Sequence, residues 1–111
     1  MILSKQKTIS SPIKFKGFGL HTGVSVQMTI EPAEVNHGIQ FLREDLVNAP
    51  VIPATVDFVS ETQRSTTIEK NGNKVVTVEH LLSACYALGI DNLLVKLNSE
   101  ELPILDGSAK E

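Results

Sequence analysis

Residues 24–30, Val24-Ser25-Val26-Gln27-Met28-Thr29-Ile30, alternate apolar and polar positions. Period two predicts a strand with one buried face. Glu31-Pro32-Ala33 is expected to end it, because proline cannot continue a ladder. Upstream, Thr8-Ile9 and residues 13–16 read as short extended pieces separated by Ser10-Ser11-Pro12. Gly17, Gly19 and Gly23 fall within seven residues and predict a loop over 17–23. Residues 38–43, and 51–59 with Pro53 interrupting them, are further extended candidates. Asn71-Gly72 between residues 66–69 and 74–76 is a strong hairpin signal. Residues 92–97 predict another strand, with Leu93, Val95 and Leu97 on one face. Pro103-Ile104-Leu105 reads as short and extended, and Asp106-Gly107-Ser108 as a turn or helix cap.

The period changes after residue 77. Val78, Leu81, Leu82 and Cys85 lie near i, i+3, i+4 and i+7, one apolar stripe of a helix. Thr77 is the expected N-cap, its side-chain oxygen taking up a free amide of the first turn. Gly89 is the expected left-handed stop. Strands dominate and one helix covers them, without internal repeats or low-complexity linkers. The pattern predicts one domain over residues 1–111, of class α+β, a mainly antiparallel sheet covered by a helix in a two-layer sandwich.

Composition narrows the functional classes. The chain has 111 residues, 41% hydrophobic and 21% charged, an ordinary globular balance that argues against disorder. A net charge of -3 with interspersed signs leaves no footprint for nucleic acid or an anionic membrane. Four Phe and one Tyr are too few for a base-stacking platform. Cys85 is the single cysteine, so an intrachain disulfide is excluded and a reducing compartment fits. The N-terminus has no signal-peptide core, and no window approaches the roughly 20 apolar residues of a membrane helix. A soluble, cytoplasmic protein is expected.

Glu79-His80, side by side in the first turn of the predicted helix, is the one chemically loaded pair. A hydrolytic zinc site takes about three protein ligands and leaves a position for water. His80 suits a ligand, and Glu79 suits the base that takes the proton from an attacking water. A zincin helix would carry a second histidine four residues on, where this chain has Ala84. Cys85 lies about 140° around the helix and cannot share a metal with His80. The helix therefore offers one ligand at most. Without further ligands, His80 reads as an ordinary first-turn histidine and Glu79 as a complement to the helix dipole. His21 and His37 sit in glycine-flanked loops, and spacing does not say whether they converge on His80.

Three segments in order add to this reading. Residues 19–23 (GLHTG), 77–81 (TVEHL) and 103–109 (PILDGSA), with GIDN at 89–92, make the chain resemble the N-terminal half of the UDP-3-O-acyl-N-acetylglucosamine deacetylase family. The resemblance runs from about Lys7 to Ala109. It implies a zinc-dependent enzyme of lipid A biosynthesis that removes the acetyl group from a UDP-linked, acylated glucosamine. It also implies two similar α+β domains with the active site between them. The family's zinc histidine maps onto His80 and its general base onto Glu79. The other zinc ligands, a catalytic lysine and a further histidine are expected from a C-terminal domain beyond this chain. The loop over residues 61–66 stands where a family loop lines the active site. Thr62 and Ser65 are thereby candidate substrate contacts, although a solvated-loop role serves equally well for both; His21 is a further candidate, for which holding its glycine turn is the slightly favoured reading. Asp106 and Ser108 read as turn and cap residues, and Cys85 as core.

The resemblance makes the chain an N-terminal fragment that is expected to be inactive alone. Its uncovered helix face is expected to favour self-association. Two other readings stay open, a stand-alone binding or structural domain of the same fold and an unrelated hydrolase using His21, His37 and His80.

Overall fold

The computed structural model describes residues 5–104 apart from residue 64. Strand β1 (Ile13–Phe18) pairs antiparallel with β2 (Ser25–Pro32), from Ile13 opposite Ile30 to Phe18 opposite Ser25. Along β2, Val26, Met28 and Ile30 are buried while Ser25, Gln27 and Thr29 turn outward, as period two requires. Two boundaries differ from expectation. β2 runs on to Pro32, which pairs with Leu93 as the last residue of the strand, where a missing N–H interrupts no ladder. Gly17 and Phe18 belong to β1 rather than to the glycine loop. Gly17 lets Pro103 approach, and a Cβ there would sit 3.1 Å from the Pro103 Cβ.

Strand β3 (Ile39–Arg43) follows, then a short β4 (Ile52–Pro53). The expected extended run over 51–59 is instead broken by a 3₁₀ turn at Val56–Phe58, closed by the Phe58 N–H donating to the Thr55 carbonyl at 3.0 Å. Pro53 is what ends β4 early. β5 (Val59–Glu61), β6 (Thr67–Lys70) and β7 (Asn73–Val76) form a three-stranded antiparallel sheet. Asn71 (φ 53°) and Gly72 (φ 81°) both take the left-handed turn that a two-residue hairpin loop needs. Helix α1 (Glu79–Leu88) and β8 (Leu93–Leu97) complete the described elements.

The larger sheet has the order β1-β2-β8-β3-β4. Its pairings are antiparallel apart from β3 with β8, which run parallel. Met28, Phe41, Ile52, Leu93, Val95 and Leu97 form its buried face, joined by Ile68 and Val75 of the smaller sheet. Each such side chain contributes about 1.5–3 kcal/mol on burial. Helix α1 brings Leu81 and Cys85 to the same core, with Val78 just before it and Leu82 half-buried beside them. The α+β class and the mainly antiparallel sheet are as the sequence predicts. Gly89 (φ 72°) stops the helix, with Ile90 N–H donating to Cys85 O at 2.8 Å and Gly89 N–H to Tyr86 O at 3.2 Å.

Residues 100–104 stitch the parts together. Val76 N–H donates to Glu100 O (2.8 Å), Leu102 N–H to Val76 O (3.1 Å), and Ile104 N–H to Phe18 O (3.0 Å). This segment therefore lies against the end of β1, the end of β7 and the approach to α1. Leu105, Asp106 and Ser108 fall outside the described residues. Among the described residues no helix is long and apolar enough to cross a membrane.

Candidate functional site

The chain enters α1 through a turn that Thr66 receives. The Thr66 carbonyl accepts the N–H groups of Thr77 (2.9 Å) and Val78 (3.2 Å), while the Thr66 N–H donates to Glu79 Oε1 at 2.9 Å. Glu79 is thus pinned by one oxygen to the end of the 61–66 loop. Thr77 does not cap the helix as expected. Its φ is 65°, and the helix has no side-chain cap. That left-handed turn leaves Val78 in the cap position, and the Thr77 hydroxyl donates to Glu101 Oε2 at 2.9 Å, a charge-assisted bond. A β-branched residue in the left-handed region costs about 1–3 kcal/mol.

His80 projects outward with its side chain 71% exposed, and its Nε2 lies 3.9 Å from Glu79 Oε2. It stands on a cavity of about 240 Å³ otherwise lined by Leu20, Thr77, Leu81, Leu102, Pro103 and Ile104. Residues of all three sequence segments therefore meet at one place, Leu20 from the glycine loop, Thr77 to Leu81 from the helix start, and Pro103-Ile104 from the last. Cys85 is buried in the core while His80 faces solvent, so the helix offers a single ligand, as its spacing predicts.

The remaining candidates sit elsewhere. Thr62 is exposed in a shallow depression with Val59, Ser60, Glu61 and Gln63, and Ser65 is half-buried next to Thr66. Neither lines the His80 cavity. His21 is exposed, and its backbone N–H donates to Glu101 at 3.0 Å to Oε2 and 3.1 Å to Oε1. His37 bonds the Gly38 carbonyl and lines a different depression with Pro32, Asn36 and Leu94. Among the described residues no group of three or more His, Cys, Asp or Glu side chains could hold a metal ion. A site built from His21, His37 and His80 is thus not assembled. His80 and Glu79 fit one corner of a zinc site, an exposed imidazole with an adjacent carboxylate.

Glu101 is the residue that sequence reasoning missed. It is completely buried and accepts from His21 N–H, Thr22 N–H (2.9 Å) and the Thr77 hydroxyl. Only its neighbour Glu100 accompanies it in sequence, and paired acids ordinarily signal a solvated surface. Burial raises the Glu101 carboxyl, but bonds from the Thr22 and His21 amides and the Thr77 and Thr22 hydroxyls outweigh it. The group lies below the ordinary value of 4.5. A lowered folded-state value gives stability that is present above the unfolded-state value and lost as pH falls through the folded one. Asp45, lowered by its hydrogen bond to Arg43, acts in the same direction. Thermal melting of wild type and Glu101→Gln checks this. The variant is expected to melt lower at neutral pH and to lose less on acidification to about pH 3.

A family model described as UDP-3-O-acyl N-acetylglycosamine deacetylase matches residues 6–111. The chain belongs to this family. A Psychrobacter UDP-3-O-acyl-N-acetylglucosamine deacetylase is 51% identical over 105 residues, 95% of this chain and 35% of that protein. A Xylella fastidiosa deacetylase of the same name is 50% identical, over 96% of this chain and 35% of its own length. The bifunctional enzyme LpxC/FabZ of Bacteroides thetaiotaomicron is 52% identical over 96% of this chain and 23% of its own length. The chain thus spans about a third or less of the curated deacetylase-family relatives it matches.

Proposed function

We propose that this chain forms the first part of a zinc-dependent amide hydrolase that removes the N-acetyl group from UDP-3-O-acyl-N-acetylglucosamine in lipid A biosynthesis, in the cytoplasm. One observation carries the reading. Glu79 has one carboxylate oxygen held by Thr66 N–H, and its other faces His80 Nε2 at 3.9 Å on the rim of a largely apolar cavity.

His80 would be one ligand of the zinc. When bound, zinc polarises the amide carbonyl and acidifies a water. Pinning Oε1 leaves Glu79 Oε2 oriented toward the reacting side, where it takes the proton as water attacks. Leu20, Leu102 and Ile104 form an apolar wall beside His80. Thr62, Ser65 and His21 would contact substrate from their loops. The other ligands and the oxyanion donor would come from a C-terminal domain. That domain would rest on the face of α1 that holds His80, where Ala84, Ala87 and Leu88 are exposed. Without that cover the face would favour self-association, and the 111 residues alone would turn over nothing.

A chimera tests this. The chain replaces the matching segment of the Psychrobacter deacetylase, and acetate release from UDP-3-O-acyl-N-acetylglucosamine is measured with zinc. Activity within about tenfold of the parent is expected. A folded, zinc-loaded chimera that releases no acetate would overturn the proposal.

A further inference from the structure

We infer that Glu101 is a positioning residue for the Glu79–His80 pair, holding Thr77 in its left-handed turn and thereby fixing where α1 starts and where His80 points. The catalytic consequence rests on the function proposed above, but the geometric claim does not.

The Glu101 carboxylate is fully buried, yet it meets donors from two distant places. One arm takes the His21 and Thr22 amides and so holds the glycine loop, whose Leu20 walls the cavity. The other arm takes the Thr77 hydroxyl at 2.9 Å. Thr77 is the residue whose backbone is strained, with φ at 65°. Val78 follows in the right-handed region at φ -85°. A left-handed residue followed by a right-handed one turns successive N–H groups toward one point. The Thr66 carbonyl sits at that point and accepts from both Thr77 and Val78. Thr66 in turn pins Glu79.

The chain of contacts is therefore continuous, from Glu101 to Thr77 to Thr66 to Glu79, with His80 next in sequence. Relaxing Thr77 to an ordinary φ would break the shared acceptor and re-aim the first turn. A charged acceptor is suited to this role, because charge-assisted bonds are about twice as strong as neutral ones.

The test uses Glu101→Gln, Thr77→Val and Thr77→Ser, in the 111-residue chain and in the chimera. By NMR on the chain, Glu101→Gln is expected to speed amide exchange at His21 and Thr22 by about tenfold or more and to shift the His80 ring resonances. Thr77→Val should shift His80 in the same way while leaving the His21 and Thr22 amides protected. Thr77→Ser, which restores the hydroxyl, should return His80 to its wild-type position. In the chimera, Thr77→Val should lower kcat and zinc affinity by about tenfold, with KM unchanged. Unchanged His80 resonances in Thr77→Val would overturn the inference, as would Thr77→Ser behaving like Thr77→Val. Should Glu101→Gln fail to fold, the two Thr77 variants decide alone. An inactive wild-type chimera would count against the proposed function, and the NMR comparison would still decide the role of Glu101.

Discussion

Glu79→Gln is expected to leave the fold intact and to lower deacetylation by the chimera about 10²–10⁴-fold, the range for removing a positioned general base. The two roles of Glu79 separate in this variant. Its fold role is to accept the Thr66 N–H at 2.9 Å, and a glutamine carbonyl can do the same. Its chemical role is to take a proton at the oxygen facing His80, which an amide cannot do. Glu79→Ala removes both, so it should add a stability loss of about 1–3 kcal/mol from the unpaired Thr66 amide. The pair of variants is read by acetate release and by urea unfolding. Activity of Glu79→Gln within a few-fold of wild type would remove Glu79 as the base.

Gly19→Ala should cost about 3 kcal/mol, large against a total of 5–15 kcal/mol for a domain. A Cβ at Gly19 would collide with Glu101 Oε1 and lie 2.6 Å from Thr22 Oγ1. A flexible carboxylate would ordinarily swing aside. This one is held by the Thr22 amide at 2.9 Å, by His21 and by Thr77, so moving it breaks bonds to buried charge. Gly23→Ala is the internal comparison. Nothing lies within 4 Å of its added Cβ, and only its φ of 69° resists the change, which costs about 1 kcal/mol. Urea midpoints of the two variants should differ accordingly, and equal midpoints would remove the collision as the cause.

Local features were legible where one residue's neighbours in sequence decide its conformation. The alternation through β2 and β8, the Asn71-Gly72 hairpin, the apolar stripe of α1 and its stop at Gly89 are of this kind. Gly17 misled because a glycine suits both a loop and the close approach of another strand, and only Pro103 shows which. Thr77 misled because Thr66 and Glu101, both distant in sequence, engage its backbone and hydroxyl in a left-handed turn that leaves Val78 at the cap position. Glu101 was invisible for the same reason, since His21 and Thr22 lie 80 and 79 positions upstream and Thr77 lies 24. Glu79 and His80 stand out as chemistry at a glance. Spacing could not bring Leu20 and Ile104 to their side; the fold places them there.

The position of β8 has a consequence for the order in which the chain can fold. It is the latest strand in sequence among the described ones and the central one of its sheet, paired with β2 on one side and β3 on the other. During synthesis the β1–β2 and β3–β4 hairpins emerge first, each with an open edge awaiting the same missing strand. Val95 then closes against Ile30 and Phe41 together. Contacts so far apart in sequence form slowly, and unpaired edges invite pairing with other chains meanwhile. The inner edges of β2 and β3 therefore stay open until Leu93 to Leu97 arrive, and the same five residues close both at once.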